Sequence, residues 1–238
     1  MSETFLFVHG AWHGGWCWET IEPALRQKGY RTMAPDLPGH GSRTEPIAEQ
    51  TLESYADDIV RLLDEQKEPV ILVGHSMGGA VITMAAEKRP EKVKKLVYLA
   101  AFMLKPGQSV NGVDNGIRPI DFSSRTADGK TVPWGEKQVA AFTVDCSEEV
   151  KQSLYQRLCT EAIAPLVTGV SPTEKNWGSV RRFYIAADDD KAATPEAVKE
   201  MLENYPCEKV WHLKADHLAF YSAPDELIEI LDDIAKIK

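Results

Sequence analysis

The chain has 238 residues, 43% of them hydrophobic and 26% charged, a balance that supports a packed core and excludes a disordered or fibrous protein. A formal charge of −9, from 36 acidic and 27 basic side chains, supplies no basic field for phosphates, which argues against nucleic acid and anionic membrane surfaces as partners. No window approaches the roughly 18 apolar residues of a membrane span and no basic leader opens the chain, so a cytoplasmic location is expected. Cys17, Cys146, Cys159 and Cys207 form no CxxC pair and read as buried thiols of a reducing compartment.

In chain order, "TFLFV" reads as a first strand and runs directly into "HGAWHGG". His9 and His13 could suggest a metal pair. A third ligand is missing, however, and the glycines between them argue against a helix that would put both on one face. Glycines instead let the backbone come close to a ligand, as an N–H aimed at a developing oxyanion must. Next come a helical pattern in "WETIEPALRQKG" ended by Gly29, a strand in "YRTMAP", and the turn-rich "APDLPGHGSR", where Asp36 and His40 read as structural. The helical "LESYADDIVRLLDEQ" and the apolar "PVILVG" complete a βαβα rhythm, the signature of a parallel sheet.

The most informative segment follows. Gly74-His75-Ser76-Met77-Gly78 fits GxSxG between an apolar strand and the amphipathic "GGAVITMAAEKRP", where a sharp strand-to-helix turn lifts a serine above the sheet. His75 reads as a packing neighbour, and the amides of Ala11 and Met77 are the candidate oxyanion donors. After the strand "VKKLVYLA" the rhythm stops. Residues from about 104 to 177 form loops and short helices, yet carry Phe122, Trp134, Phe142, Leu154, Tyr155, Leu158 and Trp177, which predicts a packed inserted lid. Its aromatics, Trp134 among them, are candidates to contact a substrate.

The sheet pattern resumes with "RRFYIAA", the helical "TPEAVKEMLENYP", the strand "EKVWHLKA" and a last helix "PDELIEILDDIAKI". A serine nucleophile needs a base and an acid to orient it. His217 stands between the last strand and the last helix, where a loop can carry it over the sheet edge, whereas His212 lies inside a strand. Asp188, Asp189 and Asp190 are the candidate acids, and spacing does not choose among them. The position after "VKKLVYLA" holds Ala100, Ala101 and Phe102 with no carboxylate, and Asp216 is poorly placed to reach the neighbouring ring. The reading is one α/β domain over residues 1–238, with a core of 1–103 and 178–238, the inserted lid, and six mainly parallel strands flanked by helices.

Taken together, "FVHGAWHGGWCW", "APDLPGHGSR", "VGHSMGG", "YIAADDD" and "KADHLAF" resemble the α/β-hydrolase superfamily over nearly the whole chain, and within it the plant hydroxynitrile lyase and methylesterase group with its bacterial esterase relatives. The resemblance implies Ser76 as nucleophile, His217 as base and Asp190 as acid, with Ala11 and Met77 on the oxyanion positions. In cyanohydrin-cleaving members a threonine or asparagine takes the place of Gly10, and many carry a lysine directly after the histidine, where this chain has Leu218. Lacking both groups, with Gly10 and Leu218 instead beside the substrate, the chain is expected to be a serine carboxylesterase for small to medium uncharged esters. It would work through an acyl-enzyme, without metal or organic cofactor, on a small-molecule ester, with a homodimer as the candidate assembly. A hydroxynitrile lyase, a lactonase and a non-catalytic ligand-binding protein are the alternatives.

Overall fold

The computed structural model describes residues 3–113 and 121–238, so the part of the expected lid at 114–120 lies outside the described residues. In chain order the regular elements are β1 (Thr4–Val8), α1 (Ile21–Gln27), β2 (Arg31–Met33), α2 (Leu52–Asp64), β3 (Val70–His75), α3 (Gly78–Lys88) and β4 (Val93–Leu99). They continue with β5 (Thr131–Val132), α4 (Glu136–Phe142), α5 (Glu148–Arg157), β6 (Glu161–Ala162) and α6 (Ile163–Val167). The chain closes with β7 (Arg182–Ala187), α7 (Pro195–Asn204), β8 (Lys209–Leu213), α8 (Ala219–Ser222) and α9 (Pro224–Lys236).

Six strands form one parallel sheet in the order β2-β1-β3-β4-β7-β8. β1 and β3 are buried along their whole length, as strands covered by helices on both faces must be. The edge strands β2 and β8 are partly exposed, which explains their mixed composition. The flanking helices turn one stripe inward: Leu52, Tyr55, Ala56, Ile59, Val60 and Leu63 of α2, and Leu227, Ile228, Leu231, Ile234 and Ala235 of α9. α3 differs, being buried from Gly78 to Ala86, and so carries an apolar residue on nearly every side.

The strand order decides where a site can form. From β1 the chain steps to β2 on one side and then returns to β3 on the other, so the loops leaving β1 and β3 part at the carboxyl edge of the sheet and open a crevice there. Because every strand of the sheet is parallel, the loops after β7 and β8 emerge at the same edge. The stretch between β4 and β7 holds α4 to α6 and an antiparallel pair in which Thr131 faces Ala162 and Val132 faces Glu161.

The six strands lie where the apolar runs predict them. α1 begins later than its periodicity suggests, because Gly15–Trp18 forms a separate 3-10 turn that buries Trp18. The pair β5–β6 and the short α8 have no counterpart in the pattern, since two to four residues are too few to establish a period.

Candidate active site

Ser76 sits between the end of β3 and the start of α3 with φ +53°, a left-handed conformation that costs a non-glycine residue about 1–3 kcal/mol and persists only where its surroundings hold it. They do hold it. The Ser76 carbonyl accepts from Gly79 N at 2.9 Å and from Phe102 N at 3.1 Å, and Ser76 N donates to the Leu99 carbonyl at 3.4 Å. The small flanking residues are a steric requirement: a Cβ on Gly74 would lie 2.6 Å from the Gly78 carbonyl oxygen, and one on Gly78 would lie 2.7 Å from that of Val8. The turn therefore presses α3 against β1 and presents the Ser76 side chain at the crevice.

The loops after β7 and β8 supply the partners. His217 Nδ1 lies 2.8 Å from Asp190 Oδ2, and both residues are 1% exposed. A carboxylate only accepts, so Nδ1 carries the hydrogen and Nε2 is left to take a proton. The other oxygen of Asp190 accepts from Ala192 N at 2.6 Å and Ala193 N at 3.0 Å, which turns Oδ2 toward the ring. This settles geometrically which of the three aspartates reaches His217. Asp188 instead meets the exposed His212 at 2.8 Å, and Asp189 joins its loop to Ala215 through its backbone N–H. The His217 carbonyl accepts from Nε2 of His75, the residue before Ser76, at 2.9 Å, and the two rings pack with centroids 4.7 Å apart. This bond ties the histidine loop to the serine turn.

The loop after β1 is held peptide by peptide. His9 Nδ1 donates to the Gly10 carbonyl at 2.9 Å while its Nε2 accepts from Leu37 N at 3.0 Å, and His13 Nδ1 donates to the Ala11 carbonyl at 2.8 Å. Burial drives both imidazoles to the neutral form, that of His9 well below its ordinary pKa and that of His13 down to about 4. The two histidines of "HGAWHGG" are thus backbone clamps. Pinning the Gly10 carbonyl aims the opposite end of the same trans peptide, the Ala11 N–H, into the crevice. Among the described residues neither the Ala11 N–H nor the Met77 N–H has an acceptor in the protein, as two donors reserved for a ligand would require.

Ala11, Ser76 and Met77 line one cavity of about 770 Å³ together with Trp12, Phe102, Val110, Phe142 and Leu166. Asp121, Glu136, Lys137 and Lys191, all exposed, complete its wall with two charges of each sign. Phe142 also packs on the His217 ring at 4.9 Å, which makes it the lid aromatic that touches the site. Trp134 does not line the cavity, contrary to expectation: its Nε1 donates to the Leu158 carbonyl at 3.0 Å and its ring packs on Tyr155. Leu218 is fully buried outside the lining as well, because its N–H is drawn onto Asp216 Oδ1 at 3.0 Å. Gly10 contributes closeness instead of a contact surface, since a Cβ there would lie 2.8 Å from Ser76 Cβ.

Two buried acids make contacts that the sequence reading did not assign: Asp216, set aside there as a partner for His217, and Glu161, which it passed over. Asp216 accepts from Leu218 N, from Ser222 Oγ at 2.8 Å and from Asp145 N at 2.9 Å, joining the histidine loop to the insertion. Glu161 joins the insertion to Trp12 at 3.0 Å. Nothing in the local sequence marks Glu161 beyond an acid among apolar neighbours in "CTEAIAP".

Residues 5–230 match the sequence model of the alpha/beta hydrolase family. The chain is similar to Methylesterase 9 of Arabidopsis thaliana, 33% identical with 97% of each chain covered. It is also similar to Salicylic acid-binding protein 2 of Nicotiana tabacum, 30% identical over 97% of this chain and 96% of the other. Longer methylesterase relatives from Arabidopsis thaliana, named as chloroplastic, are spanned over 57 to 72% of their length. Among solved structures, polyneuridine aldehyde esterase superposes with a TM-score of 0.83 at 25% identity, covering 99% of this chain and 100% of that one.

Proposed function

The chain belongs to the alpha/beta hydrolase family, and from that premise we propose that it is a carboxylesterase in which Ser76, His217 and Asp190 act together on small to medium uncharged esters. The observation that carries the assignment is the 2.8 Å bond from His217 Nδ1–H to the buried Asp190, on a loop tied through His75 to the turn bearing Ser76. His217 Nε2 takes the proton of Ser76 Oγ as that oxygen attacks the ester carbonyl carbon. Negative charge then collects on the former carbonyl oxygen. The N–H groups of Ala11 and Met77 stabilise it, a donor class whose loss typically costs on the order of 10²- to 10³-fold in rate. The intermediate collapses, the carbon–oxygen bond to the alcohol breaks, and His217 gives its proton to the leaving alkoxide. Water attacks the acyl-enzyme with His217 again as base, releasing the acid and restoring Ser76.

A cavity of about 770 Å³ with an apolar floor and a wall of balanced charge favours uncharged substrates over a carboxylate or an amine. Four free cysteines, at least half-buried, are in keeping with a cytoplasmic location. A hydroxynitrile lyase is disfavoured by crowding at Gly10, where even a Cβ would press on Ser76, and by Leu218, an uncharged side chain buried outside the cavity at the position where many cyanohydrin-cleaving members carry a lysine. The test is labelling with a serine-directed phosphonate followed by peptide mass analysis. Modification at Ser76 with loss of esterase activity is expected. Modification elsewhere, full activity in Ser76→Ala, or mandelonitrile cleavage faster than ester cleavage would overturn the assignment.

A further inference from the structure

Trp12, the residue after the proposed oxyanion donor Ala11, has φ +63°, a conformation that bulky side chains rarely adopt. Three bonds from the insertion hold it there. Its N–H donates to Glu161 Oε2 at 3.0 Å, its carbonyl accepts from Cys159 N at 2.9 Å, and its indole Nε1 donates to the Val132 carbonyl at 3.1 Å. The β5–β6 pair, with Cys159 just before β6, thus grips Trp12 from both backbone ends and the side chain.

Glu161 is the unusual member of this set. It is fully buried, and its two oxygens collect four donors: Trp12 N and His40 Nε2 on Oε2, both at 3.0 Å, and Tyr55 Oη at 2.9 Å and Ala162 N at 2.8 Å on Oε1. Among the described residues no lysine or arginine pairs with it. His40 Nδ1 lies 3.2 Å from the Pro38 carbonyl, which can only accept, so both ring nitrogens of His40 carry hydrogen and the ring is an imidazolium paired with the carboxylate. Burial alone would strip that proton, yet the Glu161 charge holds the His40 pKa above its ordinary value. A buried ion pair costs desolvation, and a hydrophobic replacement could fasten a lid without it. An ion pair is suited instead to fixing the direction of a peptide, because a charge-assisted bond is short and directional.

We propose that Glu161 is a positioning residue for the oxyanion hole: by holding Trp12 N–H it fixes the peptide on the carboxyl side of Ala11, while His9 fixes the one on the amino side through the Gly10 carbonyl. The Ala11 N–H then lies between two fixed peptides, the first held by His9 of the core and the second held at its carbonyl by His13 of the core and at its N–H by Glu161 of the insertion. The inference rests on the esterase reading above. It adds that the insertion completes the oxyanion hole as well as covering the cavity.

The test compares Glu161→Gln, Glu161→Asp and Tyr55→Phe with the unaltered chain, using p-nitrophenyl acetate and normalising activity to serines titrated by a phosphonate. Glutamine keeps the size but turns an amide N–H₂ toward donors, and aspartate keeps the charge but withdraws it from Trp12. Each is expected to lower kcat per titrated serine about tenfold to a hundredfold with KM within about twofold, because a misplaced donor acts on the transition state alone. Tyr55→Phe removes a bond only from Oε1, and is expected to lower the melting temperature while kcat stays within about twofold. A folded Glu161 variant, either one, with unchanged kcat per titrated serine overturns the proposal, as does a rise in KM without a fall in kcat. If the unaltered protein hydrolyses the ester but titrates no Ser76, the esterase mechanism itself fails, and that result is distinct from either of these.

Discussion

Gly10→Ala is the sharpest perturbation of the proposed site. The new methyl carbon would lie 2.8 Å from Ser76 Cβ, 3.0 Å from His75 Nδ1 and 3.2 Å from the His75 carbonyl oxygen. Carbon atoms in contact normally stay about 3.5–4.0 Å apart, so the loop after β1 and the serine turn must separate by roughly 1 Å. Neither side yields easily, since Ser76 is held by Gly79 N and Phe102 N, and Gly10 by the bond from His9. A displacement of about 1 Å in a catalytic array costs on the order of 10²-fold, equivalent to about 2.7 kcal/mol in the barrier, and overpacking adds about 1–3 kcal/mol of instability. The assay is kcat for p-nitrophenyl acetate per phosphonate-titrated serine, with urea unfolding alongside. Gly29→Ala serves as the control: φ +94° strains an alanine there, but its Cβ would meet nothing within 4 Å, so stability falls by about 1–2 kcal/mol while kcat holds. Gly10→Ala with kcat within threefold of the unaltered protein would refute the claim that contact between these two loops sets the nucleophile's position.

Other expectations follow from named contacts. Asp190→Asn should keep the fold and lower kcat by about 10³- to 10⁴-fold, because an amide presenting N–H₂ to His217 Nδ1 selects the wrong tautomer; a loss under tenfold would remove Asp190 from the relay. Burial lowers the pKa of His9 and His75 far below normal and that of His13 to about 4, so on acidification from pH 6.5 the unfolded chain takes up protons that the folded one refuses. Stability should fall toward pH 4, by about 3 kcal/mol from His13 alone, and a urea midpoint unchanged between pH 7 and pH 4 would contradict this. His40 acts in the opposite sense, its raised pKa adding stability that is present below pH 6.5 and lost as the pH rises through its folded value. Lys95 is fully buried with its ammonium on the carbonyls of Ile234 at 2.6 Å, Ala235 at 3.1 Å and Ile237 at 2.6 Å. Lys95→Met, which strands three acceptors at the end of α9, should cost about 3 kcal/mol in urea unfolding without altering kcat.

Much of the site is legible in the sequence where a local steric rule governs it. The serine turn is one such place, because only small residues at Gly74 and Gly78 allow α3 to approach β1 so closely, and that demand is written within five residues. The parallel sheet is another, since fully buried strands must be continuous apolar runs and "PVILVG" is one. The family resemblance rests on the same segments and agrees with the match over residues 5–230. Trp134 shows the limit: an aromatic in a lid is an apolar surface in search of any partner, and here Tyr155 and the Leu158 carbonyl take it while the cavity is lined without it.

By itself, then, the order of residues determined the fold class, the serine turn and the histidine loop, because periodicity and small-residue requirements act over a few positions. Tertiary structure decided by contact that Asp190, the acid the resemblance implies, and not Asp188 meets His217, that His9 and His13 clamp the peptides of their own loop, and that Glu161 reaches across 149 positions of chain to Trp12. Each of these depends on a direction a hydrogen bond can take only after the sheet has registered its strands and brought distant loops to one edge. A charge or a ring carries no mark of its partner until packing has chosen one.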